Sequence, residues 1–234
     1  MRKFFLSRSA LFVCCFIILV IFVFGIILNV HSDAPVRFLP FYGTTKYDTV
    51  KNGSSIRVDT DYYHVPAFHF RAQDGSEMTE KNFAGSIYVA EYFVTSGSVI
   101  CRAMNKNMEK VFEHFKGNKE IKFASFTSDP ANDSVPVIRS YVEKYGAGTK
   151  QWIFLTGDKS DLFDLARYGY LMNAGRNQDD LVQTSQFVLV DKQGHIRGYY
   201  DGTRDREIGK LVVEMNILQQ TYAYYKNHSI QAPF

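Results

Sequence analysis

Hydrophobic and polar positions alternate between two periods along most of this chain. Ala10 to Leu28 is an unbroken apolar run with Gly among it, at 1.5 Å per helical residue about long enough to cross the hydrocarbon core of a bilayer. Residues 32–63 turn polar, with turn signals at Tyr42-Gly43-Thr44 and Lys51–Ser54, and predict a linker followed by an N-terminal extension. His64–Phe70 and Ser76–Thr79 flank Asp74-Gly75, the pattern of a β-hairpin. A central strand is expected over Ser86–Val94. A helix over Cys101–Phe115 is expected next, because Cys101, Met104, Met108, Val111, Phe112 and Phe115 share one face at 3.6 spacing. Further strands are expected at Ile121–Thr127, Gln151–Leu155, Ser185–Val190 and His195–Tyr200. Further helices are expected at Val135–Tyr145, Asp158–Tyr168 and Arg204–Tyr222. Residues 169–181 read as irregular. Strands alternating with helices and closed by a hairpin predict an α/β sandwich with a mixed sheet, the thioredoxin layout with insertions.

The boundaries follow: a basic N-terminus at 1–9, a transmembrane anchor or uncleaved signal at 10–28, linker and extension at 29–63, the domain at 64–222 and a tail at 223–234. Arg2, Lys3 and Arg8 precede the apolar run. They orient it with the N-terminus cytoplasmic and the domain exported, on the periplasmic side of an inner membrane. The run exceeds a usual signal-peptide core, which favours an anchor over a cleaved leader. Those three residues also supply the whole net charge of +3 and leave 24 basic and 24 acidic side chains elsewhere. No basic excess remains to mark a nucleic-acid surface.

Of three cysteines, Cys14 and Cys15 fall inside the apolar run. Cys101 therefore stands alone in the exported part and has no intramolecular disulfide partner there. At the start of a helix beside Arg102, its thiol is a candidate for reactivity. As the first member of an apolar stripe, it also reads as a core residue. Met104 and Met108 would extend Cys101 into a soft-ligand column, although methionines at this spacing usually pack. His64, His69, His114 and His195 read as ordinary surface or edge histidines. Asp129 and Asp133 follow a strand end. Asp129-Pro130 reads as a strand stop, Asp133 or Ser134 as a helix cap, and Asp129 is expected near Cys101.

The order and spacing of several segments resemble the Sco/SenC family from about His64 to Leu218: Phe70–Gly75, Asn82–Gly85, Thr95–Met108, Ser128–Asp133, Leu155–Asp158, Phe187–Lys192 and Gly194–Gly202. The resemblance implies a membrane-anchored thioredoxin fold that helps assemble the copper centre of cytochrome c oxidase. It implies two cysteine ligands in a C-x-x-x-C loop and one histidine ligand, a donor set suited to copper in both oxidation states. Placed on this chain, the second cysteine is Cys101, the first falls on Gly97 and the histidine on Gln183. Arg102 replaces the proline that usually follows. The expectation is a family member accessory to oxidase assembly or to envelope redox and copper homeostasis. It would act by binding a protein partner, an oxidase subunit or another assembly factor, without copper transfer or thiol exchange. Two alternatives stay open: a copper(I) chaperone using Cys101 with unusual or partner-supplied ligands, and a single-cysteine oxidoreductase or peroxidase-like enzyme.

Overall fold

The computed structural model describes residues 16–24, 37–52, 55–97, 99–143, 150–175 and 184–228. Residues 1–37 and 38–234 are separate compact units.

In the first unit, residues 16–24 are helical, and each of their side chains is apolar and exposed. The rest of the expected 10–28 anchor lies outside the described residues. Among the described residues, no helix is long and apolar enough to cross a membrane.

The second unit is built on a seven-stranded mixed sheet ordered β4-β3-β7-β6-β5-β8-β9. Its strands are β3 (His69–Ala72), β4 (Glu77–Thr79), β5 (Ile87–Phe93), β6 (Ile121–Thr127), β7 (Trp152–Thr156), β8 (Gln186–Val190) and β9 (Ile196–Asp201). β5, β6 and β7 are parallel neighbours, and β8 and β3 flank them antiparallel. Among its described residues, the α-helices are α1 (Val99–Phe115), α2 (Val135–Glu143), α3 (Lys159–Asp164) and α4 (Asp205–Asn227).

β5 explains the sheet's two cores. All seven of its side chains are buried, as expected of a central strand covered on both faces. Ile87, Val89 and Phe93 join Met104, Met108, Val111, Phe112, Leu211 and Met215 on one face. Tyr88, Ala90 and Tyr92 join Phe68, Phe83, Phe126 and Tyr170 on the other. Burying aliphatic and aromatic side chains on both faces drives folding at roughly 25 cal/mol per Å² of apolar surface.

Several expectations need correction. Within the 29–63 linker, an antiparallel hairpin forms a separate two-stranded sheet from β1 (Lys46–Asn52) and β2 (Ser55–Asp61). The β3 strand starts at His69, not His64, and Val65 N–H instead bonds Gly194 O at 2.9 Å. Pro66 follows, with no N–H to give a ladder. The helix expected over 158–168 stops at Asp164 and widens into a π-helical turn over Leu165–Gly169. The 223–234 tail is helical as far as Asn227, and residues 229–234 lie outside the described residues. Helix α1 begins at Val99, so Cys101 is its third residue and not its first.

Candidate functional site

The three parallel strands end side by side, and each end carries a threonine: Thr95 just beyond β5, Thr127 closing β6 and Thr156 closing β7. One buried aspartate gathers them, two through its carboxylate and one through its backbone carbonyl. Asp133 Oδ2 accepts from Thr127 Oγ1 at 2.5 Å and from Thr95 N–H at 3.3 Å. Thr95 Oγ1 donates to Oδ1 of the same carboxylate. Thr156 Oγ1 donates to the Asp133 carbonyl at 3.0 Å. Buried, charge-assisted bonds of this kind are strong and fix geometry. Asp133 therefore holds the loop leading from β5 into α1. The sequence reading gave it only a capping role. Its signal was the threonine after each of three apolar runs.

Asp129 builds the turn that presents Asp133. Its N–H bonds Thr127 Oγ1 at 2.9 Å, its carbonyl accepts Asp133 N–H at 2.8 Å, and its carboxylate accepts from Asn132 at 2.8 Å.

Gly97 and Cys101 face each other across the start of α1. A Cβ built on Gly97 would lie 3.0 Å from Cys101 Cβ and 3.3 Å from the Val94 carbonyl. Gly97 does not sit in the left-handed region that favours glycine, so its backbone admits a side chain. Paired cysteines have Cβ atoms about 3.5–4.5 Å apart, and a few tenths of an ångström of loop movement would provide that separation. Arg102 Nη1 donates to the Gly97 carbonyl at 2.8 Å and ties the loop back to the helix.

Cys101 itself is half-buried. The expectation that it heads the core stripe needs correction, because the core begins one turn later at the fully buried Met104. Val99 and Ile100 are 73% and 58% exposed, an apolar pair at the rim of the Gly97–Cys101 loop. The structure thus brings Gly97, Cys101 and Arg102 together, while Met104 serves packing. Gln183 lies outside the described residues. Among the described residues, no three His, Cys, Asp or Glu side chains are placed to hold a metal ion.

Beneath α1 lies a group the sequence reading passed over. Glu91, on β5, is wholly buried, and its Oε1 accepts from Ser125 Oγ at 2.7 Å. Ser125 Oγ in turn accepts from Trp152 Nε1 at 2.9 Å. Glu91 Oε2 has no partner, and burial pushes the carboxyl up to about 8 against the opposing Ser125 bond. At neutral pH it is mostly the uncharged acid. The visible signal was a single acid inside the run Ile87-Tyr-Val-Ala-Glu-Tyr-Phe93.

His195 also departs from expectation. The sequence pattern predicts a surface or edge histidine, yet it is only 3% exposed. Phe41, Tyr62, Tyr63 and His64 pack against it, and no local pattern at the hairpin reports them.

Comparison with known proteins places this arrangement. The SCO1/SenC family profile matches residues 58–215. The chain belongs to the SCO1/SenC family. It is 25% identical over 157 residues to the SCO1 protein homolog of Bacillus subtilis, covering 65% of this chain and 81% of that protein. Among solved structures, a SCO1/SenC family lipoprotein from Bacillus anthracis superposes with a TM-score of 0.60 at 24% identity, over 67% of this chain and 95% of the other. Copper-bound ScoI of Arabidopsis thaliana superposes with a TM-score of 0.54 at 22% identity, over 66% and 99%. At these identities the structural matches establish the thioredoxin-like fold.

Proposed function

We propose that this chain is a membrane-anchored Sco-type accessory protein of respiratory oxidase assembly, or of envelope redox and copper homeostasis. It works by binding a protein partner, with its metal site degenerate. The observation that carries the reading is the Gly97–Cys101 juxtaposition. The frame holds a ligand-pair geometry, and one of the two positions has no side chain. The exposed Val99–Ile100 pair beside it supplies apolar contact surface for a partner such as an oxidase subunit or another assembly factor. Residues 10–28 anchor the chain, with the domain on the periplasmic side. Support comes from residues 16–24, a helical stretch apolar on every side, the character of a membrane segment.

A cuprous-ion competition titration tests this on the full chain in detergent, with Cys14→Ser and Cys15→Ser removing the other thiols. The reading predicts weak binding by that chain. It predicts tight one-to-one binding once Gly97→Cys and Gln183→His restore the family's donor set. Tight binding without those changes, abolished by Cys101→Ser, would overturn the reading and make Cys101 a working copper ligand.

A further inference from the structure

The β8–β9 turn holds a second buried polar cluster, far in sequence from the Cys101 loop. Its centre is His195. The ring nitrogen Nδ1 lies 3.0 Å from the Tyr63 carbonyl. A carbonyl only accepts, so Nδ1 carries the hydrogen and the neutral ring keeps Nε2 bare. The His64 ring packs against it with centroids 4.1 Å apart. At that separation the rings are in tilted face contact, too close to share a metal between them.

Arg197 lies beside this pair and is itself buried. Its guanidinium bonds the Leu39 carbonyl at 2.6 Å, the Pro40 carbonyl at 3.0 Å and Asp191 Oδ2 at 2.7 Å. It also sits 3.9 Å from the Phe41 ring centroid. Phe41 stacks on Tyr62 at 3.8 Å and meets His195 edge-on at 5.3 Å. Tyr42 N–H bonds Ile196 O at 3.0 Å, Leu39 is buried in the core, and the Phe38 ring is 6.3 Å from that of Tyr225 on α4. Residues 38–42 therefore form a strap, held across the turn by cation, rings and one backbone bond. The strap is the first stretch of the domain after the N-terminal unit.

We propose that His195 is a proton-operated latch on this strap: closed while its ring is neutral, and opened when acid charges it. The charge inventory gives the direction. Facing His195 are the cations Arg197 and, once protonated, His64. Among the described residues, Asp191 is the carboxylate that faces His195, and it already pairs with Arg197 while taking the His195 and Gln193 backbone N–H groups. From α4, the Tyr222 phenol bonds Gln193 and faces Asp191, and Lys192 lies over its ring at 4.9 Å. A protonated His195 would add a second positive charge to a buried cluster with Asp191 as its anion, while the exposed His64 ring meets it from the solvent side. Burial, with lesser help from His64 and Arg197, holds His195 below the ordinary histidine range against opposing pulls from Tyr63 and Asp191. The closed strap thus keeps its full stability above about pH 6.5 and loses it as the pH falls below that value. Release would free five residues, about 17 Å of extended chain, and uncover the apolar seat of Leu39 and Phe41.

Hydrogen–deuterium exchange on the full chain tests the latch between pH 7.5 and 5, with rates corrected for intrinsic pH dependence. Peptides spanning 38–44 should lose protection severalfold on acidification, while β5 peptides hold theirs. The His195 ring, followed by NMR, should titrate at the same midpoint. His195→Gln should blunt the response, and His64→Phe, which keeps the ring packing, should weaken it. Equal strap protection at both pH values would overturn the proposal. So would release with a midpoint near 4 while His195 stays neutral, which would assign the effect to carboxylates.

Discussion

The Gly97–Cys101 loop and the Asp191–Arg197 turn are both polar features set into an aromatic-rich core, and they are furnished in opposite ways. At the turn, the buried polar groups are partnered: Arg197 meets Asp191 and two carbonyls, and the neutral His195 ring meets Tyr63. At the loop, the support is complete and the chemistry is thin. Asp133 binds three strand ends beneath a loop that offers one thiol, one bare glycine and two exposed aliphatic side chains. The difference teaches that a frame and its ligands are held by separate interactions. The Asp133 bonds contribute to folding whether or not a metal is ever bound.

Removing each region's central group should separate the two. Arg197→Ala leaves Asp191 buried without its cation and frees the strap, and should cost about 3–5 kcal/mol, read as a lowered denaturation midpoint. Asp133→Ala strips the acceptor from two threonine side chains and a backbone N–H, and should cost about 2–4 kcal/mol. Unlike Arg197→Ala, it should loosen the Thr95–Cys101 loop, seen as faster labelling of Cys101 by a thiol reagent. If Asp133→Ala leaves both stability and labelling unchanged, the frame is held some other way.

Glu91 lies between these extremes, with one oxygen partnered and one not. Its folded carboxyl is raised from 4.5 to about 8, so the acid form favours folding. The stability this gives is complete below about pH 4.5 and is lost as the pH rises through about 8. Glu91→Gln keeps the shape and a donor without the charge. The variant should gain on the natural chain as pH rises to 9, by an amount on the order of a few kcal/mol. Parallel denaturation curves for the two chains across pH 5–9 would contradict the buried-acid reading.

The strands and helices were legible because their signals are local. The apolar run of β5, the 3.6 spacing of α1 and the Asp-Gly turn between β3 and β4 each report on themselves. The family resemblance pointed to Gly97 and Cys101, and a Cβ on Gly97 would lie 3.0 Å from that of Cys101. What escaped were features assembled from distant segments. His195 is buried by residues more than 130 positions earlier, as its bond to Tyr63 shows. The strap and the β1–β2 hairpin lie in a stretch whose polar composition reads as linker. The partial burial of Cys101 turned on a two-residue shift in where α1 begins, within the usual uncertainty of helix ends.

The central claim is that a ligand-pair geometry survives here without its second side chain. Gly97→Cys, in the full chain carrying Cys14→Ser and Cys15→Ser, tests it most directly. Under a mild oxidant, the account predicts near-complete formation of an intramolecular disulfide to Cys101, read by mass spectrometry as the loss of two hydrogens, with the fold unchanged. Two thiols that remain reduced and separately alkylated in a folded chain would contradict it.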